Sequence, residues 1–196
     1  MEQILELDRK IFLELNSNFH NPFMDQLMMF LTSTTAWIPL YIILLYFLIR
    51  NYKKETWIVL LGIALTIILA DQITSSIMKP FFERLRPSHE PSFGEQVHIV
   101  NNYRGGRFGF ASSHAANTFG VATLICLLLK NYRPWITLLF IWPLFVGYTR
   151  IYLGVHYPGD ILAGFLIGLM CAITSYLLVV LLRSYMTRRS NPTLGG

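Results

Sequence analysis

The sequence is short of charge. Only 14% of its 196 residues are Asp, Glu, Lys or Arg, against about 25% in soluble domains, while 54% are apolar. That shortage excludes an ordinary soluble globule and places the chain among membrane proteins. Cysteine is scarce as well. Cys126 and Cys171 both lie inside apolar runs, which excludes a disulfide framework and leaves two small buried hydrophobes. No cluster of carboxylates exists to hold Mg²⁺, so no metal and no cofactor is expected. Repeats and low-complexity tracts are absent. The length suits one domain, over 1–190, with "NPTLGG" at 191–196 as a tail. The net charge of +5 would suit nucleic acid, but the basic residues sit in short loops between apolar runs. They read as membrane-topology signals, and no nucleic-acid partner is expected.

What is present is a series of apolar runs. Residues 3–16 put Ile4, Leu7, Ile11 and Leu15 on one helical face, with Glu2, Glu6, Asp8, Arg9, Lys10 and Glu14 at polar positions. This predicts an amphipathic helix lying on the membrane surface, broken by "NSNFHNPF". Leu27–Ile49, Thr56–Met78 and Ile161–Leu182 are each long enough for a bilayer core of about 30 Å. Ala115–Leu129 and Trp135–Tyr148 are at the short end, and each touches a polar cluster. The expected fold is an all-α integral membrane bundle of five transmembrane helices plus the surface helix; insertion of that helix would make six. Arg50, Lys53 and Lys54, then Lys130 and Arg133, then Arg183, Arg188 and Arg189 fall on one side, with Glu55 as their single acid. That side is taken as cytoplasmic. The loops of about 79–113 and 149–160 lie on the other.

Those two loops hold the residues that can do chemistry. "KPFFERLRP" supplies Lys79, Arg86 and Pro87; "ASSH" supplies Ser112, Ser113 and His114; "TRIYLGVHYPGD" supplies Thr149, Arg150, His156 and Asp160. Each has a bland reading alone. Lys79 and Arg86 would snorkel at the interface, His114 would cap a helix, and Asp160 would complement a helix dipole. Jointly, three permanent cations and a helix N-terminus make an anion site, and phosphate is its natural occupant. Ser112 stands where an N-cap would, with its hydroxyl and the following amides available to an oxyanion. Two histidines can divide the work of nucleophile and general acid, and Asp160 can fix the tautomer of one. Asp71, inside the second span near the face of Ser75, reads as a structural partner near the site. Arg104 and Arg107 in "NNYRGGRFGF" would grip a substrate headgroup or be solvated. Tyr157-Pro158-Gly159 reads as the turn launching the last helix.

These clusters resemble the motifs of the type 2 phosphatidic acid phosphatase family, the integral-membrane branch related to vanadium-dependent haloperoxidases and glucose-6-phosphatase. The family signature is K-x6-R-P, then P-S-G-H, then S-R-x5-H-x3-D. Lys79-x6-Arg86-Pro87 and Arg150-x5-His156-x3-Asp160 match in full. In the second motif Ala111 stands for Pro and Ser113 for Gly, while Ser112 and His114 are kept; Thr149 replaces the leading Ser of the third. The resemblance implies that His156 attacks phosphorus to form a phosphohistidine, Asp160 orients it, and His114 protonates the leaving oxygen. It also implies that Lys79, Arg86, Arg150, Ser112 and the amide of Ser113 hold the phosphoryl oxygens.

The expected activity is metal-free hydrolysis of a membrane lipid phosphate, in a bacterial inner membrane with the site on the periplasmic face. Polyprenyl (undecaprenyl) diphosphate is the first choice of substrate. Phosphatidylglycerophosphate, phosphatidic acid and lipid A phosphate stay open. A vanadate haloperoxidase is disfavoured by the apolar spans. A lipid transporter would not need two histidines and a carboxylate at these spacings. No feature assigns an oligomeric state.

Overall fold

The first apolar run is not one helix. In the computed structural model, which describes residues 2–18, 20–132 and 134–190, α1 (Glu2–Ser17) and α2 (Pro22–Leu31) precede α3 (Ile38–Tyr52). The expected span from Leu27 is therefore corrected: Leu27 to Leu31 belong to α2. Asn21 caps α2 by accepting from the Met24 amide at 2.9 Å, with Pro22 in its first turn. The helix stops because the Ser33 hydroxyl donates to the Phe30 carbonyl at 2.6 Å and Trp37 Nε1 donates to the Leu31 carbonyl at 2.9 Å. Local side-chain bonds of this kind compete with helix continuation. A 3₁₀ turn over Thr34–Trp37 leads into α3. Arg133 of the basic loops and the 191–196 tail lie outside the described residues.

Helical structure from Thr34 to Phe82 is continuous and apolar enough to cross a membrane, but it reverses at Lys53, whose φ of 48° breaks the helix. It thus supplies two crossings, α3 and α4 (Thr56–Asp71), packed on each other. α4 continues through a π-helical stretch, Gln72–Met78, into α5 (Lys79–Phe82), which Glu83 ends in the left-handed region. α6 (Ser113–Leu128), the 3₁₀ turn Trp135–Phe140 with α7 (Ile141–Tyr152), and α8 (Pro158–Ser190) complete five crossings. There is no strand among the described residues. At 1.5 Å per residue, the 33 residues of α8 reach about 50 Å, well past a bilayer core.

α6 and α8 form the centre of the bundle, with α4 against both. Their backbones approach closely because small residues face each other, Ala116 and Gly120 on α6 against Gly164 and Gly168 on α8. A β-carbon on Gly120 would lie 3.0 Å from the Gly168 carbonyl, and one on Gly164 would lie 2.6 Å from the Ser112 carbonyl. This is the small-residue packing that membrane helices use in place of a hydrophobic drive.

At one end, Tyr52 Oη donates to the Leu128 carbonyl at 2.7 Å, Asn51 bonds Tyr132 at 3.0 Å, and Arg183 pairs with Glu55 at 2.7 Å. The basic loops therefore gather there, as the sequence suggested. The opposite end carries α1, α2 and the two polar loops. Ile4, Leu7 and Ile11 of α1 are exposed, while Phe12 and Asn16 are fully buried. Phe12 stacks on Phe93, and Asn16 bonds the backbone of His98, Ile151 and Tyr152. The protein-facing stripe of α1 is Asp8, Phe12 and Asn16, beside the apolar face and not on it. A chain with lipid beside it can turn its apolar face outward.

Candidate active site

The site is built at the starts of α6 and α8 and the end of α7. Pro158 opens α8, and Asp160 in its first turn accepts from the Tyr157 amide at 3.0 Å, one arm of a capping arrangement. The same oxygen, Oδ2, lies 3.3 Å from His156 Nδ1. Both side chains are sealed, Asp160 at 0% and His156 at 2% exposure. Burial first, then the charges of Arg86, Arg150 and Lys79, hold the His156 pKa well below the usual imidazole value. The ring is thus neutral. With Nδ1–H directed at the carboxylate, the lone pair sits on Nε2. Gly109 lies against this pair: a β-carbon there would be 3.1 Å from Asp160 Oδ2 and 3.5 Å from His156 Nδ1.

Three cations face His156. Lys79 lies one turn beyond Ser75 at the end of the π-helical stretch, a feature often found at functional sites. Its Nζ donates to Ser113 Oγ at 2.7 Å and to Ser75 Oγ at 3.1 Å. Thr74 also donates to Ser113 Oγ, at 2.8 Å. The hydroxyl of Ser113 therefore anchors Lys79, a job a glycine could not do. Asp71 accepts from Ser75 at 3.3 Å and so stands behind the lysine.

Arg86 follows the left-handed turn at Glu83, and its Nε donates to the Phe108 carbonyl at 3.2 Å. Burial and the nearby Arg150 lower its pKa to about 10, which still leaves it cationic at neutral pH. Gly105 is required beside it, because its φ is +64° and a β-carbon would lie 2.5 Å from Arg86 Nη1. Arg150, 2% exposed, donates to Thr32 Oγ1 at 2.6 Å and to Tyr103 Oη at 3.0 Å. Arg86 Nη1 and Arg150 Nε are buried donors without a partner. Buried guanidinium donors left unpaired beside a neutral imidazole fit an incoming anion.

Ser112 caps α6: it has extended φ/ψ, and its hydroxyl accepts from the Ala115 amide at 3.4 Å. Its own amide donates to the Asp160 carbonyl at 3.0 Å, joining the two helix starts. The amides of Ser113 and His114 precede the intrahelical ladder and belong to the positive end of the helix. His114 is exposed at the mouth, within the electrostatic reach of Arg150, His156, Arg86 and Lys79. The structure therefore brings Lys79, Arg86, Ser112, Ser113, His114, Arg150, His156 and Asp160 together. It does not bring Arg104 and Arg107 into the cluster. Arg104 is tied to the Ser88 carbonyl at 2.7 Å, and Arg107 lies exposed, 5.5 Å from the centre of the Phe108 ring. Sequence reasoning missed Thr32 and Tyr103, which hold Arg150, and Arg84, whose Nη1 bonds Asp160 Oδ1 at 2.7 Å. The signal for Arg84 was its place between Lys79 and Arg86; Thr32 and Tyr103 carried none.

A neutral histidine backed by a carboxylate and faced by three cations, at one end of a membrane bundle, defines a membrane-embedded phosphotransfer enzyme. The profile described as PAP2 superfamily matches residues 55–184, and the chain belongs to that family. It is an integral membrane lipid phosphatase, a phosphoric ester hydrolase. The chain is 43% identical over 172 residues to the lipid A 4'-phosphatase of Bacteroides thetaiotaomicron, covering 86% of this chain and 75% of that one. It is 37% identical over 174 residues to the lipid A 4'-phosphatase of Porphyromonas gingivalis, covering 87% and 72%. The crystal structure of Aquifex aeolicus LpxE superposes with a TM-score of 0.61 at 30% identity, over 86% of this chain and 94% of that one.

Proposed function

We propose that this protein removes the phosphate monoester from the sugar of a lipid A-type glycolipid through a phosphohistidine. The observation that carries the chemistry is the contact of His156 Nδ1 with Asp160 Oδ2, which assigns the lone pair to Nε2 in a ring that feels the charges of Arg86, Arg150 and Lys79. The substrate choice rests on the two lipid A 4'-phosphatases the chain resembles. It prefers the lipid A alternative over undecaprenyl diphosphate.

The Nε2 lone pair of His156 attacks phosphorus, and the bond from phosphorus to the sugar oxygen breaks. His114 gives its proton to that oxygen. Arg86, Arg150, Lys79 and the amides at the start of α6 hold the three equatorial oxygens as their charge grows. A water molecule then attacks the phosphohistidine and loses its proton to His114. Inorganic phosphate leaves, and Nε2 regains its lone pair.

The site is assigned to the periplasmic face of an inner membrane, because the basic loops lie at the opposite end. Two experiments test the reading. Purified protein is given lipid A bisphosphate, undecaprenyl diphosphate, phosphatidylglycerophosphate and phosphatidic acid, and phosphate release is measured. Preference for undecaprenyl diphosphate would overturn the substrate, and release from none would overturn the reaction. Ser92→Cys on the exposed loop should react with an impermeant thiol reagent in cells whose outer membrane alone is opened; labelling only after full lysis would reverse the orientation.

A further inference from the structure

Arg84 is committed to two carboxylates, unlike its neighbours Arg86 and Arg150. Its Nη1 donates to Asp160 Oδ1 and its Nη2 to Asp8 Oδ2, both at 2.7 Å. The face of the guanidinium lies 4.0 Å from the centre of the Tyr157 ring. Both terminal nitrogens of the fork are held by carboxylates, which commits this arginine to the protein. Arg86 and Arg150 each keep a buried donor unpartnered. Three arginines converge on one centre, and one of them serves the protein instead of the substrate.

The other side of that bridge is the N-terminal helix. Asp8 accepts from the Gly159 amide at 2.8 Å as well as from Arg84. A β-carbon at 159 would lie 2.8 Å from Asp8 Oδ2, which explains the glycine in the Tyr157-Pro158-Gly159 turn. Asp8 therefore grips the first turn of α8 and the cation that grips Asp160. The side chains of Arg84 and Asp8 are 19% and 12% exposed, so the bridge is largely shielded from water.

We infer that Asp8 and Arg84 form a positioning relay, in which α1 holds Arg84 against Asp160 so that Asp160 stays an ionised acceptor for His156 Nδ1. The inference rests on the reading of His156 as nucleophile. A carboxylate at 0% exposure needs a cation in contact to remain charged. Among the described residues, Arg84 is the one cation that hydrogen-bonds Asp160. The other groups facing Asp160 are His156, the Tyr157 amide and phenol, and Arg86, which is turned to the Phe108 carbonyl. Oδ2 is filled by His156 and the Tyr157 amide, and Oδ1 belongs to Arg84. The surface helix is thus part of the catalytic apparatus, 151 residues away in sequence from the turn it fixes.

The test follows phosphohistidine formation by rapid quench with ³²P-labelled lipid substrate in the full-length protein. Arg84→Gln should form phosphoenzyme about 10- to 100-fold more slowly, the range set by losing one charge-assisted bond, with KM within about twofold of wild type. Arg84→Lys should recover part of the loss, and guanidinium ion added to Arg84→Ala should restore rate. Asp8→Asn should lose less, about threefold to tenfold, and the double variant should lose less than the product of the two. An Arg84→Gln protein that phosphorylates at the wild-type rate would overturn the relay. So would a raised KM with unchanged kcat, which would make Arg84 a substrate ligand. If the Arg84 variants do not fold, Asp8→Asn carries the test, and an unchanged rate there overturns the proposal. Absence of phosphohistidine in wild type would instead sink the nucleophile assignment, so the two failures are distinguishable.

Discussion

Replacing Asp160 by Asn changes one atom and should cost about 10²- to 10⁴-fold in phosphorylation rate. The geometry shows why neither orientation of the amide works. With its oxygen toward His156 Nδ1 and the Tyr157 amide, its NH₂ faces Arg84 Nη1 across 2.7 Å, donor against donor. Turned over, its NH₂ meets the Tyr157 amide and drives His156 to carry its proton on Nε2, the atom that must attack. Keeping the useful tautomer therefore means losing a charge-assisted bond, about 1.5–3 kcal/mol. At about 1.4 kcal/mol per tenfold, that alone is roughly 10- to 100-fold. Removing the negative charge from beside a ring that gains positive character on phosphorylation adds a loss of similar size. Arg84 keeps Asp8, so the fold should survive. The assay is single-turnover quench of the acid-labile phosphoenzyme, with a circular-dichroism melt as the control for folding. An Asn variant retaining a third or more of the wild-type rate would refute the reasoning, because it would mean that the 3.3 Å contact does not set the tautomer.

Three further outcomes are expected. His114→Ala should slow hydrolysis of a lipid phosphate by about 10²- to 10⁴-fold and should slow a nitrophenyl phosphate far less, since that leaving group needs no proton; equal losses on both would remove His114 from the leaving-group step. In the His114→Ala background with nitrophenyl phosphate, protonation of His156 itself should not limit phosphoenzyme formation near the ordinary imidazole value of about 6.5, because its pKa is lowered by burial. The rate should fall as pH rises through about 10 and Arg86 loses its proton; a limb at 6–7 traced to His156 would contradict this. Activity should persist after exhaustive EDTA and be inhibited by orthovanadate, because fixed cations neutralise the phosphoryl group and no group of three or more potential metal ligands occurs among the described residues; loss reversed by one divalent metal would overturn it.

Much of the site was legible because its chemistry is concentrated in fixed local spacings. Arg150, His156 and Asp160 lie within eleven residues, and helix start and turn bring the last two together. The spans were legible wherever one apolar run made one helix. Hydropathy failed at Leu27–Ile49 because averaging over apolar side chains cannot see Ser33 and Trp37 bonding back to the preceding turn. It ended the last span at Leu182, whereas α8 continues to Ser190, since helix geometry does not stop where lipid stops. In the sequence Asp8 is one of several residues at the polar positions of the first helix. Its role depends on Arg84, 76 residues away, and no periodicity in residues 3–16 distinguishes it from Glu6 or Lys10. Sequence reasoning missed the α6–α8 contact: Gly164 and Gly168 lie one turn apart, a spacing that gains meaning only beside Ala116 and Gly120.

That glycine seam also bears on how the protein sits in membranes of different thickness. A peripheral helix such as α3 answers hydrophobic mismatch by tilting, at small cost per ångström. α6 and α8 are locked backbone to backbone, and the Ser112 amide is bonded to the Asp160 carbonyl just above the lock. Tilt in the outer helices is therefore damped before it reaches the catalytic starts. His156 and Asp160 are thus held at the locked end of the bundle, even though the substrate arrives through the bilayer.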